Sequence, residues 1–492
     1  MKKYIFFVTN QQHLFNAAKR LYENKIAEPV IWIGDDRLYN QAKNIFKENV
    51  FSDLDLKHRN YQNLDFEYNG ELNEFFKSQN YFRAKDISLK MMDRLDQYGT
   101  FSRIDREVYF HNILLFFLKH ISEKKPDALI ANEAPHDYVK YLIYEICLYK
   151  KIPCFKFDNW NMVPLLFITN METHQRVPFS EKTFGTFDAI LNYKIEKWVK
   201  SIYKEGYEIS YMTDQRKFSS TSRKLIKFFK TDLRIIYRDL KHNIGMALRN
   251  NYSPINPYRL NLYTRLYIKK KRKKNLLQSL LKHTNKVDLK HTKYVYFPLH
   301  FEPERTTNPD GGYYHDQFLA LKSLRKLIPS SIAILVKEHP SQIYVSGRGS
   351  KGRSPLSYTL MKKIKNTHIV GKEINTIDLI KNSNLVATIT GTVSIEASLL
   401  GIHSIYFGHP WYAGCPNTFS YNDEINYENI ISQKIHSSEK IIDFLINLKD
   451  NFSFLSFQNQ SQGNFNSEFD NKEFNQLQQK SVYSAIKKLI EL

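Results

Sequence analysis

Three polar clusters in the second half of the chain combine residue types suited to a phosphorylated, hydroxyl-rich ligand. The first is Pro298-Leu-His300-Phe-Glu302-Pro-Glu304-Arg305, followed by Asp310-Gly-Gly312. The second is Lys337-Glu338-His339-Pro340, and the third is Thr388-Ile-Thr390-Gly391-Thr392-Val-Ser394-Ile-Glu396. In the third, Gly391 lets a backbone approach closely, and Thr390, Thr392 and Ser394 add hydroxyls. A helix opening at that point would offer unpaired N–H groups to an anion. Glu396, one turn on, could accept from ribose hydroxyls. The same residues also read as a plain cap, with Thr392 closing the helix and Glu396 answering its dipole.

His339 is followed by Pro340, whose ring fixes the next backbone angle. A histidine there can donate to a phosphate oxygen or protonate a leaving group. The competing reading is a His-Pro turn with a surface imidazole. His300, Glu302, Glu304 and Lys337 are candidate contacts to the sugar, base or phosphate. A metal site on His300-x-Glu302-x-Glu304 is disfavoured, because Pro303 breaks a regular strand and no partner motif follows.

These clusters need strands to carry them, and the pattern supplies them. Tyr294–Leu299, Ile332–Lys337, His368–Val370, Leu385–Ile389 and His403–Phe407 read as strands. Helices are expected at 315–327, 356–365, 376–382 and 393–400. Strands separated by helices imply a parallel sheet, whose ligands sit beyond the carboxyl ends of the strands. All three clusters fall at that edge.

The first part of the chain reads the same way. Strands are expected at 4–8, 29–34, 127–131 and 153–157, with helices at 14–23, 110–120 and 138–149. The expected fold is α/β: two Rossmann-like doubly wound domains facing a cleft, the GT-B plan. An N-terminal acceptor domain would take residues 1–185 and a nucleotide-sugar domain 291–430. Residues 186–290 show no β/α alternation and read as a basic helical insertion or linker. Residues 431–492 read as terminal helices with a polar tail.

The strand at 127–131 runs into Asn132-Glu133-Ala-Pro-His136-Asp137. Glu133 is a candidate base for an acceptor hydroxyl; capping the following helix is the alternative, which Asp137 could perform as well. Asn10, Gln11, Gln12 and His13 end the first strand and are candidate acceptor contacts. Asp53-Leu-Asp55 matches the metal-binding DxD pattern but lies in a polar loop without a strand before it, so chance explains it better.

With 42% hydrophobic and 14% aromatic residues over 492 positions, the chain can bury more than one core. Three cysteines show no metal-type pairing and fit buried thiols in a reducing compartment. The apolar run at Tyr4–Val8 ends too soon for a signal peptide, and no other run approaches the ~18 residues of a membrane span. A cytoplasmic location is expected. Charge is distributed unevenly: 214–282 holds 19 Lys/Arg against three acids, a net +16 of the chain's +22. The run Lys269-Lys-Lys-Arg-Lys-Lys274, among apolar residues at helical spacing, suits an anionic inner-membrane surface. A solvated basic face is the alternative.

The segments Tyr296-Phe-Pro-Leu-His300-Phe-Glu-Pro-Glu304, Val336-Lys-Glu-His339-Pro340-Ser341 and Thr388-Ile-Thr-Gly391-Thr-Val-Ser-Ile-Glu396-Ala resemble the bacterial capsule polysaccharide biosynthesis family. That family includes Kdo transferases and shares its HP motif with bacterial polysialyltransferases. The likeness is good over 290–410 and moderate over 127–153. It implies a metal-independent GT-B glycosyltransferase with no cofactor. The donor would be a nucleotide sugar, such as CMP-activated Kdo or a sialic-acid-like sugar, and the acceptor a glycan or lipid-linked chain. By this analogy His339 meets the donor phosphate, 390–394 holds the nucleotide, and Glu133 is the candidate base. Two departures stand out: the basic segment, and an extra Ser346–Lys351 stretch before Gly352-Arg353-Ser354-Pro355. A basic nucleic-acid-binding protein and a non-catalytic scaffold of a capsule assembly complex are the rival classes. Nucleic acid is not expected as a partner, because the charge is confined to one segment and no such module is seen.

Overall fold

A computed structural model describes residues 1–8, 11–34, 36–53, 56, 72–95, 102–160, 163–179, 184–204, 262–302, 307–344, 352–456, 469 and 472–492. Glu304, Asn10, Asp55, the 346–351 stretch and most of the basic segment (205–261) lie outside the described residues.

The chain divides into two compact units. The first takes Met1–Trp198 and Leu445–Leu492, and the second lies within the intervening chain up to Phe444. The sheet of the first unit uses β1 (Lys2–Val8), β2 (Ala27–Gly34), β3 (Val50–Ser52), β4 (Ala128–Ala131), β5 (Cys154–Asn159), β6 (Leu165–Asn170) and the short β7 (Arg176–Val177). The second unit follows with β8 (Thr284–Asn285), β9 (Tyr294–Pro298), β10 (Ala333–Lys337), β11 (Thr367–Val370), β12 (Leu385–Thr388), β13 (Ser404–Tyr406) and β14 (Thr418–Ser420). A last strand, β15 (Ser453–Leu455), returns to the first unit.

In the first sheet, strand order is β15-β6-β5-β4-β1-β2-β3. β1 to β5 run parallel, while β6 and β15 close the edge antiparallel. The second sheet runs β14-β13-β12-β9-β10-β11-β8, parallel throughout. In each, the first long strand sits centrally and the chain winds outward first one way and then the other. That order creates a switch point, beside β1 and β4 in one sheet and β9 and β12 in the other, where successive loops diverge and leave a crevice.

Burial on both faces explains why the central strands read as unbroken apolar runs. Along β1, Ile5 and Phe7 join the core beneath helices Gln79–Leu95, Arg103–Lys124 and Tyr138–Tyr149. Tyr4, Phe6 and Val8 point the other way, into the core with Trp32 and the helices Gln12–Glu23 and Lys472–Glu491. In β9, Val295 and Phe297 alternate with Tyr294 and Tyr296 in the same manner.

The helix expected at 110–120 extends over Arg103–Lys124. Ser102 and Asp105 form a capping box that starts it a full two turns earlier, and Lys125 in the left-handed region ends it. The C-terminal stretch does not stand alone: β15 pairs with β6, and Val482, Ile486 and Leu489 of the final helix enter the first unit's core. Among the described residues no helix is long and apolar enough to cross a membrane.

Candidate functional site

At the switch point of the second sheet, the loops leaving β9, β10, β12 and β13 are tied together by side chains. His300 follows β9; its Nε2 lies 3.1 Å from Thr388 Oγ1 at the end of β12 and accepts the Thr390 N–H at 3.4 Å. Thr388 Oγ1 accepts the Gly391 N–H at 3.2 Å. His300 thus props the third cluster from below. Burial, with His339 and Arg353 nearby, lowers its pKa to about 3, so the ring is neutral and can accept.

Gly391 is required by space: a Cβ there would lie 2.8 Å from Thr388 Oγ1 and 3.4 Å from His300 Cε1. Gly408, after β13, is equally confined, between the Asp310 carbonyl and Thr390 Cγ2. The backbone N–H of His409 donates to Asp310 O at 2.8 Å, joining the β13 loop to the β9 loop.

Glu302 and Gln342 exchange contacts between the β9 and β10 loops. Gln342 Oε1 accepts the Glu302 N–H at 2.8 Å, and Gln342 Nε2 donates to Glu302 O at 2.9 Å. The Glu302 carboxylate accepts from Gln317 at 2.8 Å. Lys337, at the end of β10, donates to the Ile374 carbonyl and, at 3.0 Å, to Thr376 Oγ1, bracing the β11 loop.

His339 has a different setting. Its Nδ1 accepts the backbone N–H of Ser341 at 3.1 Å. Burial drives its pKa down to about 4, with Arg353 adding and Glu338 opposing. The ring is therefore neutral near pH 7, with its proton on Nε2. An imidazolium would face the Ser341 N–H with a second N–H, so hydrogen-bond donation suits this geometry better than proton transfer.

Of the third cluster, Thr390 Oγ1 is buried with no hydrogen-bond partner. Such a group normally finds one, and a bound ligand could supply it. Ser394 sits deeper: it is fully buried and its hydroxyl lies 2.5 Å from Ser404 Oγ on β13. The helix it belongs to, Val393–Leu399, has only seven residues, and Thr392 makes no side-chain cap. Thr392 Oγ1 instead donates to Glu396 Oε1 at 3.4 Å. Burial raises the Glu396 pKa to about 7, against that hydrogen bond.

The sequence reading left two residues unassigned that the structure places at the centre of the β10 loop. Arg353 reaches Glu338 with Nε at 3.0 Å and Nη2 at 3.3 Å, and its Nη2 also donates to the His300 carbonyl at 2.9 Å. Burial would lower its pKa, but Glu338 and Glu302 outweigh this and hold the guanidinium charged. The available signals were the Gly352-Arg353-Ser354-Pro355 element and the acid preceding His339.

In the first unit, Asp137 is the helix cap, accepting from Val139 N at 3.1 Å and Lys140 N at 3.0 Å. Glu133 is not needed for that task. It lies 3.5 Å from His136 Nε2, at the carboxyl end of β4. Lys140 is buried between Asp137 at 3.4 Å and Asp53 at 3.9 Å. Burial lowers its pKa, but Asp53, Asp137 and Glu133 raise it further, so it stays protonated. His13, after β1, is half-buried, its Nε2 2.8 Å from Ser456 Oγ. Among the described residues, no group of three His, Cys, Asp or Glu side chains could hold a metal ion.

Two Rossmann-like units, each with polar side chains gathered at the carboxyl edge of its sheet, make this an α/β protein of GT-B-like composition. Residues 220–436, which contain the second sheet, match the family model described as Capsule polysaccharide biosynthesis protein. No curated protein sequence matches the chain. Similar solved structures include the beta Kdo 2,7 transferase of Thermosulfurimonas dismutans KpsC (13% identity, 73% of this chain and 96% of that one, TM-score 0.25). The beta Kdo 2,4 transferase of the same KpsC is another (12% identity, 65% and 79%, TM-score 0.26). A UDP-GlcNAc 2-epimerase from Neisseria meningitidis bound to UDP-GlcNAc is a third (11% identity, 100% of both chains, TM-score 0.21).

Proposed function

We propose that this protein is a glycosyltransferase of capsule or related surface polysaccharide synthesis, using a CMP-activated ulosonic acid such as Kdo or a sialic-acid-like sugar. The observation that carries the reading is the pair His339 and Thr390 at one switch point: a neutral imidazole with its proton on Nε2, and an orphaned buried hydroxyl. Both suit the oxygens of a nucleotide phosphate and its sugar. Glu396 serves the ribose hydroxyls, while His300, Gly391 and Thr392 shape the turn that meets the nucleotide. Glu302, Lys337 and Ser394 act from behind, through the loops they brace. Glu304 would complete the set from the β9 loop.

Glu133 takes the proton of the acceptor hydroxyl, with His136 beside it. Stabilisation of the departing nucleotide comes from N–H and O–H donors rather than from a metal ion, a role that preorganised donors can fill. The acceptor is a glycan or lipid-linked chain. The protein works at the inner face of the cytoplasmic membrane, with the basic segment 214–282 against anionic lipid.

A donor screen tests this. Purified protein is incubated with CMP, UDP and GDP and with their sugars, and thermal shift and nucleotide release are measured. A selective shift with CMP, and CMP release from a CMP-ulosonic acid when acceptor is added, are expected. A shift with UDP alone would replace the donor, and no shift with any nucleotide would remove the enzyme reading in favour of a scaffold.

A further inference from the structure

We infer that Glu338 and Arg353 are positioning residues that set the orientation of His339. The inference rests on the reading of His339 as the donor to the nucleotide phosphate, but the contacts stand apart from it. Both residues are nearly fully buried, at 5% and 7% exposure. Glu338 spends both carboxylate oxygens. Its Oε2 accepts from Arg353 Nε at 3.0 Å and from Tyr358 OH at 2.6 Å. Its Oε1 accepts from Arg353 Nη2 at 3.3 Å and from the backbone N–H of His339 itself at 2.9 Å. Arg353 Nη2 reaches on to the His300 carbonyl at 2.9 Å.

A continuous line of hydrogen bonds therefore runs from the main chain of His300, through a buried ion pair, to the main chain of His339. It joins the loops that follow the neighbouring strands β9 and β10. A buried ion pair is a poor way to gain stability, since apolar residues of the same volume do as well or better. What it provides is direction: a bidentate guanidinium fixes the carboxylate in a plane, and the carboxylate fixes the His339 amide. With that amide held, and Ser341 N–H on Nδ1 at 3.1 Å, the ring has one orientation and one tautomer. Such support by neighbouring hydrogen bonds is what keeps a functional side chain in a productive geometry.

The test uses the full-length protein labelled with ¹⁵N-histidine, and His339 is identified by the signal lost in His339→Ala. Two variants are compared with the parent. Glu338→Gln with Arg353→Gln removes both charges together and avoids stranding one in the interior. Tyr358→Phe deletes a single donor to Glu338 and serves if the double variant does not fold. The parent should show one neutral tautomer, protonated at Nε2. The double variant should show averaging between tautomers, together with a roughly tenfold or greater loss of CMP affinity and little change for cytidine. Tyr358→Phe should move in the same direction by less.

A folded double variant, or Tyr358→Phe where the double variant does not fold, that keeps the single Nε2–H tautomer and the parent's affinity for CMP would overturn the inference and leave the pair a structural brace. If the parent itself fails to bind CMP, the proposed function falls. The tautomer spectrum then still decides whether Glu338 and Arg353 position the ring.

Discussion

The Nδ1 atom of His339 accepts the backbone N–H of Ser341 at 3.1 Å, which leaves the ring's proton on Nε2. His300 is arranged in the opposite sense, since its Nε2 is the acceptor, for the N–H of Thr390. Two neutral histidines on adjoining loops thus divide their tasks. His300 holds the turn after β12, and His339 keeps a donor available.

The turn itself is testable at Gly391. An added Cβ would meet Thr388 Oγ1 at 2.8 Å and crowd His300. Gly391→Ala should cost about 1–3 kcal/mol of stability, as other overpacking changes do. It should also abolish nucleotide binding in whatever fraction remains folded. Chemical denaturation and titration calorimetry check the two halves.

Glu396 should make its own mark on the pH dependence of stability. Its folded pKa, about 7, is above the ordinary 4.5, so between those values the native state holds a proton that the unfolded state has released. Its contribution is therefore fully present below pH 4.5 and is lost as pH rises through 7. Glu396→Gln should be close to the parent in stability at pH 5. At pH 8 it should be more stable, by up to about 3 kcal/mol. Equal differences at both pH values would mean that the carboxyl is not held protonated.

Glu133 and Asp137 lie four residues apart and should separate cleanly. Asp137→Ala removes a helix cap and should destabilise by about 1–2 kcal/mol. Glu133→Gln should leave the melting temperature almost unchanged and reduce transfer by roughly 10²-fold or more. A fully active Glu133→Gln protein would move the base elsewhere in the first unit.

Much of the scaffold was legible in the sequence, for a physical reason. β1, β2, β4, β9, β10 and β12 are covered on both faces, so they appear as uninterrupted apolar runs between polar loops. β3 and β15, with three residues each, carry too little pattern to stand out. The candidate site was half legible. Strand-end position put His300, His339 and Thr390 on loops at one sheet edge, where the structure also has them. It could not distinguish Ser394, which the helix turns inward to Ser404, from its neighbours. Nor could it pair Arg353 with Glu338, because that contact exists only once the β10 loop has folded back.

The basic run Lys269–Lys274 belongs to the helix Leu262–His283. Replacing all six by glutamine should weaken binding to anionic vesicles by about 1 kcal/mol for each charge that contacts the surface. Activity on a short soluble acceptor should survive. Flotation of both proteins with vesicles at low and high salt is the check. No binding by the parent, or binding that ignores salt, would contradict the membrane reading.

In the proposed function, the carboxyl edge of the second sheet binds a nucleotide sugar and His339 donates to its phosphate. Calorimetric titration of CMP and of cytidine into the parent and into His339→Ala addresses it directly. The parent should prefer CMP. His339→Ala should lose roughly 10- to 100-fold in CMP affinity, the cost of one hydrogen bond to a charged group, while its affinity for cytidine holds. An unchanged preference for CMP in a folded His339→Ala protein would mean that His339 does not hold the phosphate.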